Sequence, residues 1–131
     1  MASCKELKVR EKALDPVIEI YRISEFLPKE ETYGLSDQMR RAAVSVPSYI
    51  AKGQAGDSEK DFIRFLYIAQ GSRAELETQP EISVQLHYLS REKISTVETL
   101  SSQTGKMIRT LKRTLKQQPL STTDHQPPTA N

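Results

Sequence analysis

Apolar residues recur along this chain at spacings of three and four, in four segments separated by short polar breaks. That is the period of helices that each bury one face. In the first segment, residues 7–27, Leu14, Val17, Ile18 and Tyr21 fall at i, i+3, i+4 and i+7 and define one apolar face. Asp15-Pro16 interrupts this segment. Either Asp15 caps a helix that has Pro16 at its first position, or Pro16 kinks a longer helix, at a cost of about 3 kcal/mol for an interior site. Pro28 marks the end, and the polar KEETYG connection follows.

The second segment, residues 36–55, opens with Ser36 as the expected N-cap and Asp37 in the positive first turn. Its inner stripe is Met39, Ala42, Ala43, Val46 and Ile50, and Pro47 removes the bond to the Ala43 carbonyl, which predicts a bend. Gly56-Asp57-Ser58 is the break, and Ser58 followed by Asp61 resembles a capping box with Asp in place of Glu or Gln. The third segment runs to residue 89 on a stripe of Phe62, Phe65, Leu66, Ala69, Leu76, Ile82, Leu86 and Leu89. Gly71 and Pro80 are internal irregularities, with a bend expected before Pro80. In the fourth segment, residues 91–117, Ile94, Val97, Ser101, Thr104, Ile108, Leu111 and Leu115 alternate by three and four, a heptad with a polar middle that Leu100 and Met107 widen.

Four long amphipathic segments on short links predict an all-α fold, an antiparallel up-down-up-down four-helix bundle over residues 1–117. The Pro/Thr-rich residues 118–131 have little to bury and are expected to form a disordered tail. At 131 residues the chain is one domain's worth, with room for one modest core. It holds no apolar run near the roughly 20 residues that span a bilayer, and its charged start has no hydrophobic run of a secretory signal. The lone Cys4 has no internal partner, which fits a reduced, cytoplasmic protein.

Catalytic chemistry is scarce. His87 and His125 are the only histidines, and with Cys4 they compose neither a zinc set nor a Cys-His pair. Glu77 and Glu81 share a helix face, but a di-iron bundle also needs Glu-x-x-His motifs, and none is present. Gly34, Gly53, Gly56 and Gly71 match no phosphate-binding loop or dinucleotide fingerprint. The expectation is a protein that is not an enzyme, with no catalytic residue, cofactor or metal.

Charge is the more informative property. The net charge is only +2, yet residues 99–123 hold five basic residues and no acid: Lys106, Arg109, Lys112, Arg113 and Lys116. On a helix Arg109, Lys112, Arg113 and Lys116 make a contiguous face, beside the Ile108-Leu111-Leu115 stripe, of the kind that contacts a phosphate backbone. The same residues also suit dipole compensation, solvation or ion pairing. Arg40 and Arg41 open the second helix, Lys52 lies near its end, and Arg64 and Arg73 punctuate the third. The candidate nucleic-acid residues are therefore Arg40, Arg41, Lys106, Arg109, Lys112, Arg113 and Lys116. Few aromatics are available for a base-stacking platform. Phe62, Phe65, Leu66, Leu76, Ile108, Leu111 and Leu115 are read as core or interface, and Tyr21, Tyr67 and Tyr88 as core edge or subunit interface. The heptad spacing also supports a different class of function, a self-assembling scaffold or protein-partner adaptor.

The strings YGLSDQMRRAAVSVPSYIAKG and KDFIRFLYIAQGSRAELETQ resemble the four-helix bundle proteins encoded within intervening sequences of bacterial 23S ribosomal RNA genes. The weaker LKVREKALDPVIEIYRISEFLPKEE extends the likeness over residues 5–117. The resemblance implies antiparallel bundles associated into a homopentameric, barrel-like ring. It also implies kinship with accessory proteins of diversity-generating retroelements, which bind nucleic acid and a reverse transcriptase through a basic surface. Ribosomal RNA or its precursor is the partner it brings forward, and it supplies no catalytic residues. The chain departs from the family pattern at Tyr49 and Lys52, where Asn and Glu are usual, at Arg10, where Trp is common, and at Pro16 and Pro80, where helix-friendly apolar residues are usual.

Overall fold

The computed structural model describes residues 3–117, and these form helices and short connections with no strand among them. The order is α1 (Cys4–Lys12), α2 (Leu14–Ser24), a 3₁₀ turn (Lys29–Glu31), α3 (Leu35–Ala55), α4 (Glu59–Gln85) and α5 (Arg91–Gln117). The tail expected at residues 118–131, and His125 with it, lies outside the described residues.

Local chemistry sets each boundary. A capping box opens α1: Ser3 Oγ accepts from the Glu6 N–H at 3.2 Å, and Glu6 Oε1 accepts from the Ser3 N–H at 3.3 Å. α1 stops at Lys12 because Pro16 has no N–H for the Lys12 carbonyl and its ring crowds that carbonyl. Ala13 keeps helical angles, φ −67° and ψ −15°, so the chain resumes as α2 one residue later. Of the two sequence readings the kink is the one realised, and Asp15 pairs with Lys12 at 3.2 Å instead of capping. α3 starts one residue earlier than expected: its first N–H, on Leu35, donates to Glu31 Oε1 at 3.0 Å, while Ser36 sits buried inside the helix. Ser58 does cap α4, accepting from the Asp61 N–H at 3.2 Å.

α4 ends four residues before the expected limit, and His87 lies in the turn beyond it, exposed and with φ 64°. The His87 N–H donates to the Val84 carbonyl and the Tyr88 N–H to the Ser83 carbonyl, both at 2.9 Å. This crossed pair needs a left-handed residue at His87, the position where glycine is usual.

α3 and α4 run unbroken through Pro47 and Pro80. Nearby hydroxyls bond back to the helix: Ser45 Oγ donates to the Ala42 carbonyl at 2.8 Å, Ser48 Oγ to that of Val44 at 2.8 Å, and Thr78 Oγ1 to that of Ala74 at 2.9 Å. Pro16, Pro47 and Pro80 are all buried.

α3 packs most extensively on α4, α4 on α5, and the α1–α2 pair closes the circuit against both α3 and α5; α3 and α5 face each other across the core, with no Cα pair within 8 Å. Two apolar layers fill the interior. One gathers Val9, Val46, Ile50, Phe62, Leu66, Ile108, Leu111 and Leu115, and the other gathers Ile20, Ile23, Met39, Leu76, Leu89, Ile94 and Val97. The expected stripes of α3 and α5 are buried at every principal position, Met39, Ala42, Ala43, Val46 and Ile50 in one and Ile94 through Leu115 in the other.

Two stripes are corrected. On α1 and α2 the buried line is Val9, Ala13, Pro16, Ile20, Ile23 and Leu27, while Leu14, Ile18 and Tyr21 face outward, Ile18 at 70% exposure. On α4, Pro80 and Ser83 are buried where Ile82 and Leu86 were expected, and those two are exposed. Phe65 is half-buried rather than central, its ring stacked on Tyr49 with centroids 6.1 Å apart.

Candidate nucleic-acid interface

Lys106, Arg109, Arg113 and Lys116 project from the C-terminal half of α5 and are exposed; Lys112, on the α4 side, is half-buried. The Ile108–Leu111–Leu115 edge that faces the core holds this half of the helix in place, so the basic residues are left to the outer sides. Among the described residues none of the five pairs with a carboxylate.

α4 adds to this surface. Lys60, Arg64 and Tyr67 stand at i, i+4 and i+7 and share one face of the helix. Lys112 Nζ lies 3.9 Å from the centroid of the Tyr67 ring and Lys116 Nζ 4.7 Å from it. The Lys116 ammonium also donates to the Tyr67 hydroxyl. That hydrogen bond, reinforced by the positive charge, draws the Tyr67 phenol below its ordinary pKa of 10.0. Burial pulls the Lys112 ammonium below 10.5, and Lys116 and Arg109 add like-charge repulsion. Arg64 is engaged locally, 3.6 Å from Asp61 and stacked over Phe65 at 4.4 Å. Tyr67 was read in the sequence only as a core-edge or interface tyrosine. Its place among the α5 lysines is a contact between helices, and intrahelical spacing carries no signal of it.

On the other flank, α1 and α5 enclose a groove of about 440 Å³. Val9, Met107, Leu111 and Leu115 line its floor, and Lys5, Lys8 and Lys106 stand at its rim. The basic surface therefore spans three helices.

Arg40 and Arg41 are not part of it. They lie on α3, across the core from α5 with no Cα pair within 8 Å, and near the opposite apolar layer, beside Met39. Arg40 donates from Nε to Ser24 Oγ at 2.9 Å and sits over Tyr21 at 4.9 Å, which ties it to α2. Arg41 is 79% exposed and 3.6 Å from Asp37. Arg73 is structural. Its guanidinium is 15% exposed, accepted by Glu77 at 2.5 Å and by Gln70 at 2.7 Å, and it lies flat on Gly105, where a Cβ would come within 2.5 Å of Arg73 Cζ. Gln70 returns to α5 through the Gly105 carbonyl at 3.2 Å, and Ser101 Oγ is 3.4 Å from Glu77. The polar middle of the α5 heptad is the floor of this network.

Glu77 and Glu81 do not form a shared acidic site. Arg91 grips Glu81 with two hydrogen bonds of 2.8 and 2.6 Å, joining the end of α4 to the start of α5. With help from Gln85 this holds the Glu81 carboxyl down at about 2. No group of His, Cys, Asp and Glu among the described residues is placed to hold a metal ion, and no described helix is long and apolar enough to cross a membrane.

Comparison with known proteins adds to this geometry. A family model described as 23S rRNA-intervening sequence protein matches residues 5–110. A crystal structure from Bacteroides thetaiotaomicron, of a protein with unknown function from the S23 ribosomal protein family, is similar with a TM-score of 0.76 and 25% identity, covering 83% of this chain and 98% of that one. No curated protein matches the chain.

Proposed function

This chain belongs to the 23S rRNA-intervening sequence protein family, and we propose that it is a non-enzymatic, cytoplasmic RNA-binding bundle, encoded in such an intervening sequence, whose contact surface is the basic half of α5 with the adjoining face of α4. One observation carries the reading: Lys106, Arg109, Lys112, Arg113 and Lys116 lie together with no carboxylate partner among the described residues. Cations left unpaired on one surface repel each other unless an anion joins them. A phosphate backbone supplies anions in a row and releases its counterions on binding.

An up-down-up-down arrangement is part of the proposal. It is supported by contacts whose numbering runs in opposite senses on α4 and α5: Tyr67 with Lys116, Gln70 with Gly105, Arg73 with Ser101, and Glu81 with Arg91.

Titration against a precursor 23S rRNA fragment of the host at two salt concentrations tests RNA binding. The wild type is expected to bind with affinity that falls as salt rises. Changing Arg109, Lys112, Arg113 and Lys116 to Glu should weaken binding by about 100-fold or more while helicity stays the same, because several phosphate contacts become repulsive at once. Wild-type binding without salt dependence, or no binding, ends the proposal. Binding that survives the reversal moves the interface to Arg40 and Arg41.

A second reading, homo-oligomerisation up to a pentamer, is favoured by the outward face of α2. Leu14, Ile18 and Tyr21 are exposed there, and Val44 of α3 is exposed beside Tyr21 in the same groove. A row of apolar side chains in water is the usual sign of a contact to come. Analytical ultracentrifugation should find an oligomer that Ile18→Glu disperses; a wild type that stays monomeric at all concentrations removes this reading.

A further inference from the structure

The basic surface proposed to bind RNA is not uniform. At the junction of α4 and α5 one aromatic ring, Tyr67, stands half-exposed among cations. Lys112 and Lys116 come from α5, and Lys60 and Arg64 share its face of α4. The nearest acid on that stretch of α4, Asp61, is committed to Arg64. We infer that Tyr67 is a base-stacking platform and that the surface prefers single-stranded RNA to duplex. This rests on the RNA-binding reading above and deepens it.

A tyrosine that served only to fill the core edge would be largely covered, yet half of Tyr67 faces water. Neither ammonium forms an ion pair with a carboxylate of the described residues, and both lie against the ring's negative face. That attraction is weak at an exposed site. A phosphate is a stronger partner for each ammonium. When phosphates arrive, Lys112 and Lys116 rotate on flexible stems toward them and uncover the ring at the moment a base is brought beside it.

Stacking on an aromatic ring accepts any base, since each has a π-face. In a duplex those faces are already covered by neighbouring base pairs, so a duplex can engage the cations alone. Single strands, loops and ends can engage both. The Tyr67 hydroxyl is held by Lys116, which fixes the ring's position before the strand binds.

The chain has no tryptophan, so Tyr67→Trp creates a lone reporter at this site. The probes are a 12-nucleotide oligouridylate and a 12-base-pair RNA duplex, each followed by anisotropy of a labelled strand. The expected result has three parts. Oligouridylate quenches the Trp emission in step with binding, and the duplex binds without quenching it. Tyr67→Leu weakens oligouridylate binding about tenfold and leaves duplex binding unchanged. Tyr67→Phe, which keeps the ring, binds oligouridylate within about twofold of wild type. If Tyr67→Leu binds oligouridylate like the wild type, or saturating oligouridylate leaves the Trp emission unchanged, the stacking inference is overturned. When the four-residue Glu reversal still abolishes binding in that case, RNA binding through α5 stands without it. If the wild type binds neither probe nor the rRNA fragment, both fall together.

Discussion

Leu66→Ala is expected to remove about 3 kcal/mol of stability, lowering the urea midpoint and cutting the melting temperature by more than about 10 °C. Leu66 is fully buried in the apolar layer that also holds Val46, Ile50, Phe62, Ile108 and Leu111. Truncation deletes three carbon atoms from a place where residues of three helices converge, and a helical framework closes over such a void only partly. Leu66→Met keeps most of the volume and should cost less than about 1.5 kcal/mol. The comparison is made at one protein concentration, because association would add to apparent stability. A loss under 1 kcal/mol for the alanine variant would mean that this layer is not the close-packed centre described above.

Gly53→Val should be equally severe, for the opposite reason. Gly53 lies near the end of α3, against the first turns of α4, and a Cβ there would stand 2.5 Å from Phe62 Cδ1 and 3.3 Å from Phe65 Cβ. Phe62 is 5% exposed, so its ring has no vacant space to enter. Overpacking at such a site costs about 1–3 kcal/mol, and valine's second methyl takes the loss to the upper end, near 3 kcal/mol. Gly53→Ala should lose less, because alanine gains about 1 kcal/mol of helix propensity over glycine. The decisive measurement is a double-mutant cycle. Phe62→Leu destabilises on its own, but combined with Gly53→Val it should recover part of the loss. Strict additivity of the two losses would show that the Gly53–Phe62 contact is not the cause.

Much of the helical framework is legible in the sequence. Every position of the α5 heptad is buried, including polar Ser101 and Thr104, because an amphipathic helix with no internal proline keeps one phase along its length. α3 is equally legible even with Pro47 in it. The failures cluster at the other two interior prolines. Pro16 and Pro80 look like interruptions of the apolar stripe, which shifts the apparent phase to exposed neighbours, Leu14 and Ile18 in one case and Ile82 and Leu86 in the other. Both rings are buried. A proline forfeits one backbone bond, but its ring is apolar, and packing can use it like any other core side chain.

The candidate site was half visible. Intrahelical spacing puts the five basic residues on the C-terminal half of α5. It says nothing of Tyr67, 49 positions before Lys116, or of the separation of Arg40 and Arg41 from that group. Arg73 is the instructive opposite: a basic residue on a helix that is held part-buried between α4 and α5 because Gly105 leaves room for its guanidinium.

That pairing of Arg73 with Gly105 has a consequence for how the chain chooses a single structure. Apolar stripes are permissive partners: α4 displaced along α5 by one helical turn would still set leucine against isoleucine. The Gln70–Arg73–Glu77 group has no such tolerance. A one-turn slide takes its guanidinium off Gly105 and brings Ser101 or Arg109 beneath it, replacing bare backbone with a hydroxymethyl or a second positive charge. Part-buried polar groups of this kind serve better as index marks than as sources of stability. Here the mark sits midway between two interchangeable apolar layers, and it keys the helices to one alignment and leaves Tyr67 level with the lysines of α5.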